Sequence, residues 1–191
     1  MIAIGALALS LAAGLAAQAE PGAPAPSTRP ATQPTGGRIV NERCGFQLVC
    51  PDGLEVATPT AERQKTRLAA GSEGPDDVFA EGINVELLFE GQAARVGLEP
   101  LYEQYRQSMT RAGMTVVEAT DVEVAGIPAK RIVYSHPLSL LGKELQVKSV
   151  EWFFVRGEQI WKIDARSEAR RYDWLAPRAE EVVRSFEFTE Q

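Results

Sequence analysis

The stretch TVVEATDVEVAGIPAKRIVYSHPLSLLGKELQVKSVEWFFVRGEQIWKIDA, Thr115–Ala165, decides the fold. It breaks into β-prone runs separated by turn residues. Thr115 to Val117 leads into Asp121 to Val124; Ala125 and Gly126 then turn the chain into Lys130 to Tyr134. A tight hairpin needs positive φ, which Gly126 supplies without steric cost. Pro128 cannot donate to a ladder and belongs at a strand start or edge. A long strand over Leu145–Val155 ends at Arg156-Gly157-Glu158, and Gln159–Ala165 returns as its hairpin partner. Along that strand the apolar positions change phase, from Leu145 and Val147 to Val150, Trp152 and Phe154. This predicts either a bulge near Lys148 and Ser149 or a strand covered on both faces.

On the N-terminal side, Leu98, Leu101, Tyr102, Tyr105, Met109 and Ala112 recur at helical period, with Pro100 in the first turn and Gly113 at the C′ position. The tyrosines and Met109 read as core. Earlier still, Ile83, Val85, Leu87 and Phe89 alternate and place one face of a strand on a core. Phe46–Val49 and Leu54–Val56 are short strands around the turn Pro51-Asp52-Gly53. Ala61–Ala70 is ambiguous: its composition favours helix, yet Thr66 to Leu68 fits a strand. On the C-terminal side, Leu175, Ala179, Val182, Val183 and Phe186 define a second helix over about Trp174–Arg184, with Pro177 in its first turn. Ser185–Phe188 is read as a closing strand. Strands, helix, hairpins and helix in that order predict an α+β fold, an antiparallel β-sheet flanked by helices.

Residues 1–19 carry no charge, are rich in Ala, Leu, Ile and Gly, and end in Ala17-Gln18-Ala19. A small-x-small triplet after an apolar run suits signal peptidase, although the usual n-region Lys or Arg is missing. The competing reading is a retained anchor, for which the run is short and weakly apolar. Residues 20–38 are Pro/Ala-rich and read as a solvated linker. A single domain is expected over 39–191, in a periplasmic or secreted protein.

Composition narrows the function. The chain of 191 residues has 20 Lys+Arg against 26 Asp+Glu, a net charge of −6, and no basic run, which argues against nucleic acid. One histidine, His136, excludes sites that need two. No G-x-S-x-G, Gly-rich phosphate loop, C-x-x-C or H-E-x-x-H occurs, so no catalytic residue, metal ligand or cofactor is assigned. Glu73, Asp76 and Asp77 lack EF-hand spacing and read as a solvated acidic loop; Arg170 and Arg171 read as an exposed helix approach rather than an anionic-partner contact.

Several landmarks together resemble the Mog1/PsbP-like superfamily, including its DcrB-type bacterial domains. They are Gly45–Gly53, similar to the family's opening strand and turn; Ile83 to Val85; Leu101 to Tyr105; Val124 to Ala129; the hairpin around Gly157; and Arg184 to Phe186. The resemblance spans roughly Cys44 to Phe188. One departure is Leu54, which stands where a Trp commonly follows the turn. The resemblance implies an α/β/α sandwich around an antiparallel sheet. It also implies a binding or assembly role, since known relatives act mainly as non-catalytic factors with unrelated partners. It carries over no functional residue, because fold does not imply function.

The expected role is therefore an exported, non-catalytic binding or accessory domain of the bacterial envelope, with another envelope protein as partner. A small-ligand or lipid carrier and an unrecognised hydrolase remain alternatives. Ser135–Gly142 carries Leu138, Leu140 and Leu141 between two strands, although loops normally face water. The favoured reading folds it back over a sheet edge or core end. The alternative presents those leucines to a partner or membrane. Membrane contact is expected only through that segment or an uncleaved N-terminus. Cys44 and Cys50 flank a strand whose ends stand roughly 20 Å apart. A bridge needs under about 7 Å, so a 44–50 disulfide is not favoured. Thiol titration of the unreduced, denatured protein is expected to count two free thiols; none would establish the bridge.

Overall fold

The computed structural model describes residues 36–74 and 77–189; the leader and residues 20–35 of the linker lie outside them. Among the described residues, ten strands form two sheets in which every ladder is antiparallel. The strands are β1 (Arg38–Asn41), β2 (Phe46–Val49), β3 (Leu54–Ala57), β4 (Gln64–Ala70), β5 (Gly82–Glu90), β6 (Thr115–Val124), β7 (Ile127–Leu140), β8 (Lys143–Arg156), β9 (Gln159–Glu168) and β10 (Glu187–Phe188). Two helices interrupt them, α1 (Leu98–Arg111) and α2 (Tyr172–Ser185). The large sheet runs β3-β4-β5-β9-β8-β7-β6, and the small one β1-β2-β10. Arg38, expected in the linker, opens β1.

The helices lie on opposite faces of the large sheet. On one face Val150, Trp152 and Phe154 of β8, Trp161, Ile163 and Ala165 of β9, and Ile83 and Val85 of β5 meet Leu175, Ala179, Val182 and Val183 of α2, with Phe46 and Leu48 of β2 closing the same core. On the other face Ile132, Tyr134 and Phe153 meet Tyr102 and Met109 of α1. The change of apolar phase along β8 is thereby explained. Even-numbered residues face α2, odd-numbered residues face α1, and the ladders to β7 and β9 run without a register shift, so no bulge forms at Lys148–Ser149.

Several other expectations change. The ambiguity over Ala61–Ala70 resolves to a strand at Gln64–Ala70, because pairing with both β3 and β5 and burial of Thr66 and Leu68 override a helix-prone composition. The two runs 115–117 and 121–124 are one strand, bulged opposite Val133 and Tyr134. Pro177 is the sixth residue of α2, not part of its first turn. The carbonyl of Asp173, an exposed residue, thus loses its helical donor. The turn from β6 to β7 places both Ala125 and Gly126 at positive φ, +52° and +73°, the pattern of a two-residue hairpin.

Cys44 and Cys50 stand at opposite ends of β2 and are free. The Cys50 thiol donates to the Leu54 carbonyl at 3.3 Å, and burial raises its pKa. Beside them the chain's last turn locks an aromatic cluster: the Phe186 ring centroid lies 5.2 Å from Phe46, 5.6 Å from Phe154 and 5.0 Å from Phe188. Phe186→Ala removes a fully buried ring that joins both sheets. Urea unfolding is expected to show a loss of about 3–5 kcal/mol.

Candidate functional site

The segment read as a loop is a pair of strands. β6 accompanies β7 only as far as Ser135, opposite Thr115, and β9 accompanies β8 only to Val147, opposite Glu168. Beyond those limits the two strands pair only with each other, through Leu138↔Leu145 to Leu140↔Lys143. The result is a two-stranded ribbon projecting from the sheet. Leu138, Leu140 and Leu145 share the α1 side of it and are half-buried, while Leu141 sits at the tip, 80% exposed and held at φ +50°. The alternation of Leu138 and Leu140 with Pro137 and Ser139 was the available signal for a strand; the proline and the short Leu141-Gly142 turn disguised it.

At the root of the ribbon, the α1 face carries a charged network that the sequence reading missed. Lys162 Nζ lies 3.1 Å from Glu86 Oε2, 3.2 Å from Asp164 Oδ1 and 3.7 Å from Glu151 Oε1. All four side chains are buried. Tyr105 of α1 donates to Glu151 at 2.7 Å and Tyr134 donates at 2.9 Å, while Asn84 donates to Asp164 at 3.1 Å. Burial opposes the charge on Lys162, but the three carboxylates outweigh it and raise its pKa. Burial likewise works against the Asp164 carboxylate, and Lys162 with Arg166 overcomes it, so its pKa is lowered. Both tyrosines are raised, by burial first and Glu151 second. Asn84 and Glu86 alternate with Ile83 and Val85, and Lys162 and Asp164 alternate with Trp161 and Ile163. Such a pattern resembles a solvated strand face; only α1 and the neighbouring strands reveal it as interior.

Next to this network, whose Glu86 Oε2 is ion-paired but accepts no hydrogen bond, lies an unsatisfied set. Ser149 stands directly opposite both Tyr134 and Arg166, and His136 stacks on Tyr134 with ring centroids 6.0 Å apart. Ser149 Oγ, Arg166 Nε and both ring nitrogens of His136 are buried without a hydrogen-bond partner among the described residues. Burial and the nearby Arg166 lower the His136 pKa, so the imidazole is neutral at pH 7.

The acidic loop and the arginine pair serve each other. Glu73 accepts from Arg170 at 2.7 Å and lies 3.2 Å from Arg171. Arg171 also lies 2.6 Å from buried Glu81 and stacks on Trp174. These contacts tie Glu73 and Glu81 to the start of α2. Neither feature faces solvent alone, and Asp76 lies outside the described residues.

Among solved structures, the solution structure of cyanobacterial PsbP (CyanoP) from Synechocystis sp. PCC 6803 superposes with a TM-score of 0.54 at 12% identity, covering 80% of this chain and 91% of that one. The fold is PsbP-like. LpqN of Mycobacterium tuberculosis, described as involved in cell envelope biogenesis, matches with a TM-score of 0.51 at 13% identity over 81% of this chain and 86% of that one. A protein from Bacteroides thetaiotaomicron matches with 0.56 at 11% identity, and this chain spans about half of it, 50%. No family model matches the sequence, and neither does any curated protein. The PsbP-like α+β architecture expected from the sequence is what these superpositions show.

Removing Lys162 leaves Glu86, Glu151 and Asp164 buried together without their shared cation. Lys162→Met is expected to cost about 3–5 kcal/mol at pH 7 in urea unfolding. The loss should shrink at pH 5, where the crowded carboxylates take up protons. In the parent protein the sign is opposite. Asp164 titrates lower folded than unfolded, so its contribution is complete above the ordinary carboxylate pKa and is lost as pH falls through the folded value. Parent stability should therefore hold through pH 5 and decline only below the ordinary carboxylate range, after the variant has recovered.

Proposed function

We propose that this domain is an exported, non-catalytic accessory module of the cell envelope that docks on another envelope protein through the β7–β8 ribbon. One observation carries the reading: the ribbon leaves the sheet with Leu141 at its tip, 80% exposed, and leucines along one side. A large aliphatic side chain held in a left-handed turn costs stability. Its placement at the outermost point of a projecting element suits contact better than packing. The leader-like composition of residues 1–19 supports export. The PsbP-like fold is shared with LpqN, a protein described as involved in cell envelope biogenesis. The non-catalytic part rests on the residues. Neither nitrogen of His136 reaches a hydroxyl, so the nucleophile–base pair of a Ser–His hydrolase is not assembled among the described residues.

In-cell photo-crosslinking tests the docking. A photoreactive residue at Leu141 is expected to give one discrete protein adduct, while the same residue at Val117, 58% exposed on the β6 edge, gives none. Leu141→Asp should abolish co-purification of that partner and leave the melting temperature within about 2 °C. No adduct at Leu141, or an adduct equally strong at Val117, overturns the ribbon as the docking element.

A further inference from the structure

The unsatisfied set at the ribbon root has a chemical direction. In the network beside it every acid is answered: Glu151 by Tyr105 and Tyr134, Asp164 by Asn84 and Lys162, and Glu86 by Lys162 and by Arg63 at 3.6 Å. Arg166 has no acceptor within hydrogen-bond distance among the described residues, and its Nε is buried. Its cross-strand neighbours on that face are Ser149 and Gly82, both small, so no bulky side chain flanks it across either ladder. Ser149, only 1% exposed, offers an unused hydroxyl, and neutral His136 offers one N–H. Asp164 and Glu151 lie near enough to favour the Arg166 charge but do not take its Nε hydrogen bond, and a buried donor left unmade is costly. A planar fork of donors suits a carboxylate or phosphate.

From this root the same face of the ribbon continues outward as Val147 and then the facing pair Leu138↔Leu145. Charge sits at one end and an aliphatic strip at the other. We propose that Arg166, Ser149 and His136 bind the carboxylate or phosphate head group of an aliphatic amphiphile, whose chain lies along the half-buried Leu138 and Leu145. Arg166 donates the charged hydrogen bonds, and Ser149 and His136 each donate one more. This site shares the ribbon with the protein contact proposed above but does not depend on it: crosslinking at Leu141 can succeed while ligand binding fails, and the reverse.

The test is a titration of the full chain, with NMR of the Arg166 Nε–H and calorimetry as readouts. The probes are acetate, inorganic phosphate, octanoate and octyl phosphate, each below its micellar concentration. Octanoate and octyl phosphate are expected to shift the Arg166 Nε–H resonance saturably. Each should bind at least tenfold more tightly than its short counterpart, since roughly every two buried methylenes are worth a factor of ten. Leu145→Ala should weaken the long-chain probes and leave acetate and phosphate unchanged. Arg166→Gln should weaken all four, and its melting curve reports whether it folds. The parent-protein resonance keeps the test decisive if that variant does not fold. No saturable shift with any probe overturns the site. Equal affinity for short and long probes overturns the amphiphile.

Discussion

Two strands at the centre of a wide sheet must be covered on both sides, and that constraint organises this molecule. β8 and β9 are flanked by strands along their edges and roofed by a helix on each face. One roof, α2 with the small sheet, is apolar and fills its side with aromatic rings. The other, α1, presents Tyr102, Tyr105 and Met109 to strands that carry Glu86, Glu151, Lys162 and Asp164. Burying those charges is tolerable because Lys162 pairs with three carboxylates, Arg63 and Arg166 add positive charge beside Glu86 and Asp164, and Glu151 and Asp164 accept from tyrosines and an amide. The apolar face accounts for most of the burial energy. The polar face fixes which residues stand opposite one another, because a one-residue slip would carry these charges into the aromatic core.

Elements with a strong period or a definite turn chemistry were legible in the sequence. α1 and α2 followed their apolar stripes, the β6–β7 hairpin followed Ala125-Gly126, and the closing strand followed the alternation after Ser185. β4 was not, because its Gln, Arg and Ala residues suit a helix until two neighbouring strands claim their backbone groups. The site was harder to read than the fold. A polar residue at every second position looks the same whether water or a helix lies above it. Only the third dimension separates Asn84, Glu86, Lys162 and Asp164 from an ordinary wetted face. The ribbon escaped for the opposite reason: Pro137 and Leu141-Gly142 carry loop chemistry, yet Pro137 lies beyond the reach of β6, where a missing N–H breaks no ladder.

Structural likeness at 11–13% identity establishes architecture and leaves chemistry to local features. In this chain those features are concentrated on one side and at one end of the sheet. The acidic loop and the arginine pair, which alone would have suggested a binding surface, spend their charges on each other. At the ribbon and its root several polar groups stay unanswered and an aliphatic side chain stays wet.

The small sheet has a consequence for how the molecule is made. Its central strand β2 pairs with β1 just before it and with β10 at Glu187–Phe188, some 140 positions downstream, as in the 2.8 Å bond from Gln47 to Glu187. Until the C-terminal residues have left the ribosome, Phe46 lacks Phe186 and the early strands have no third member. A growing chain therefore cannot finish its core, since closing so long a loop comes last and slowly. Delay of this kind keeps a nascent polypeptide pliable until both partners of the small sheet's central strand are on hand.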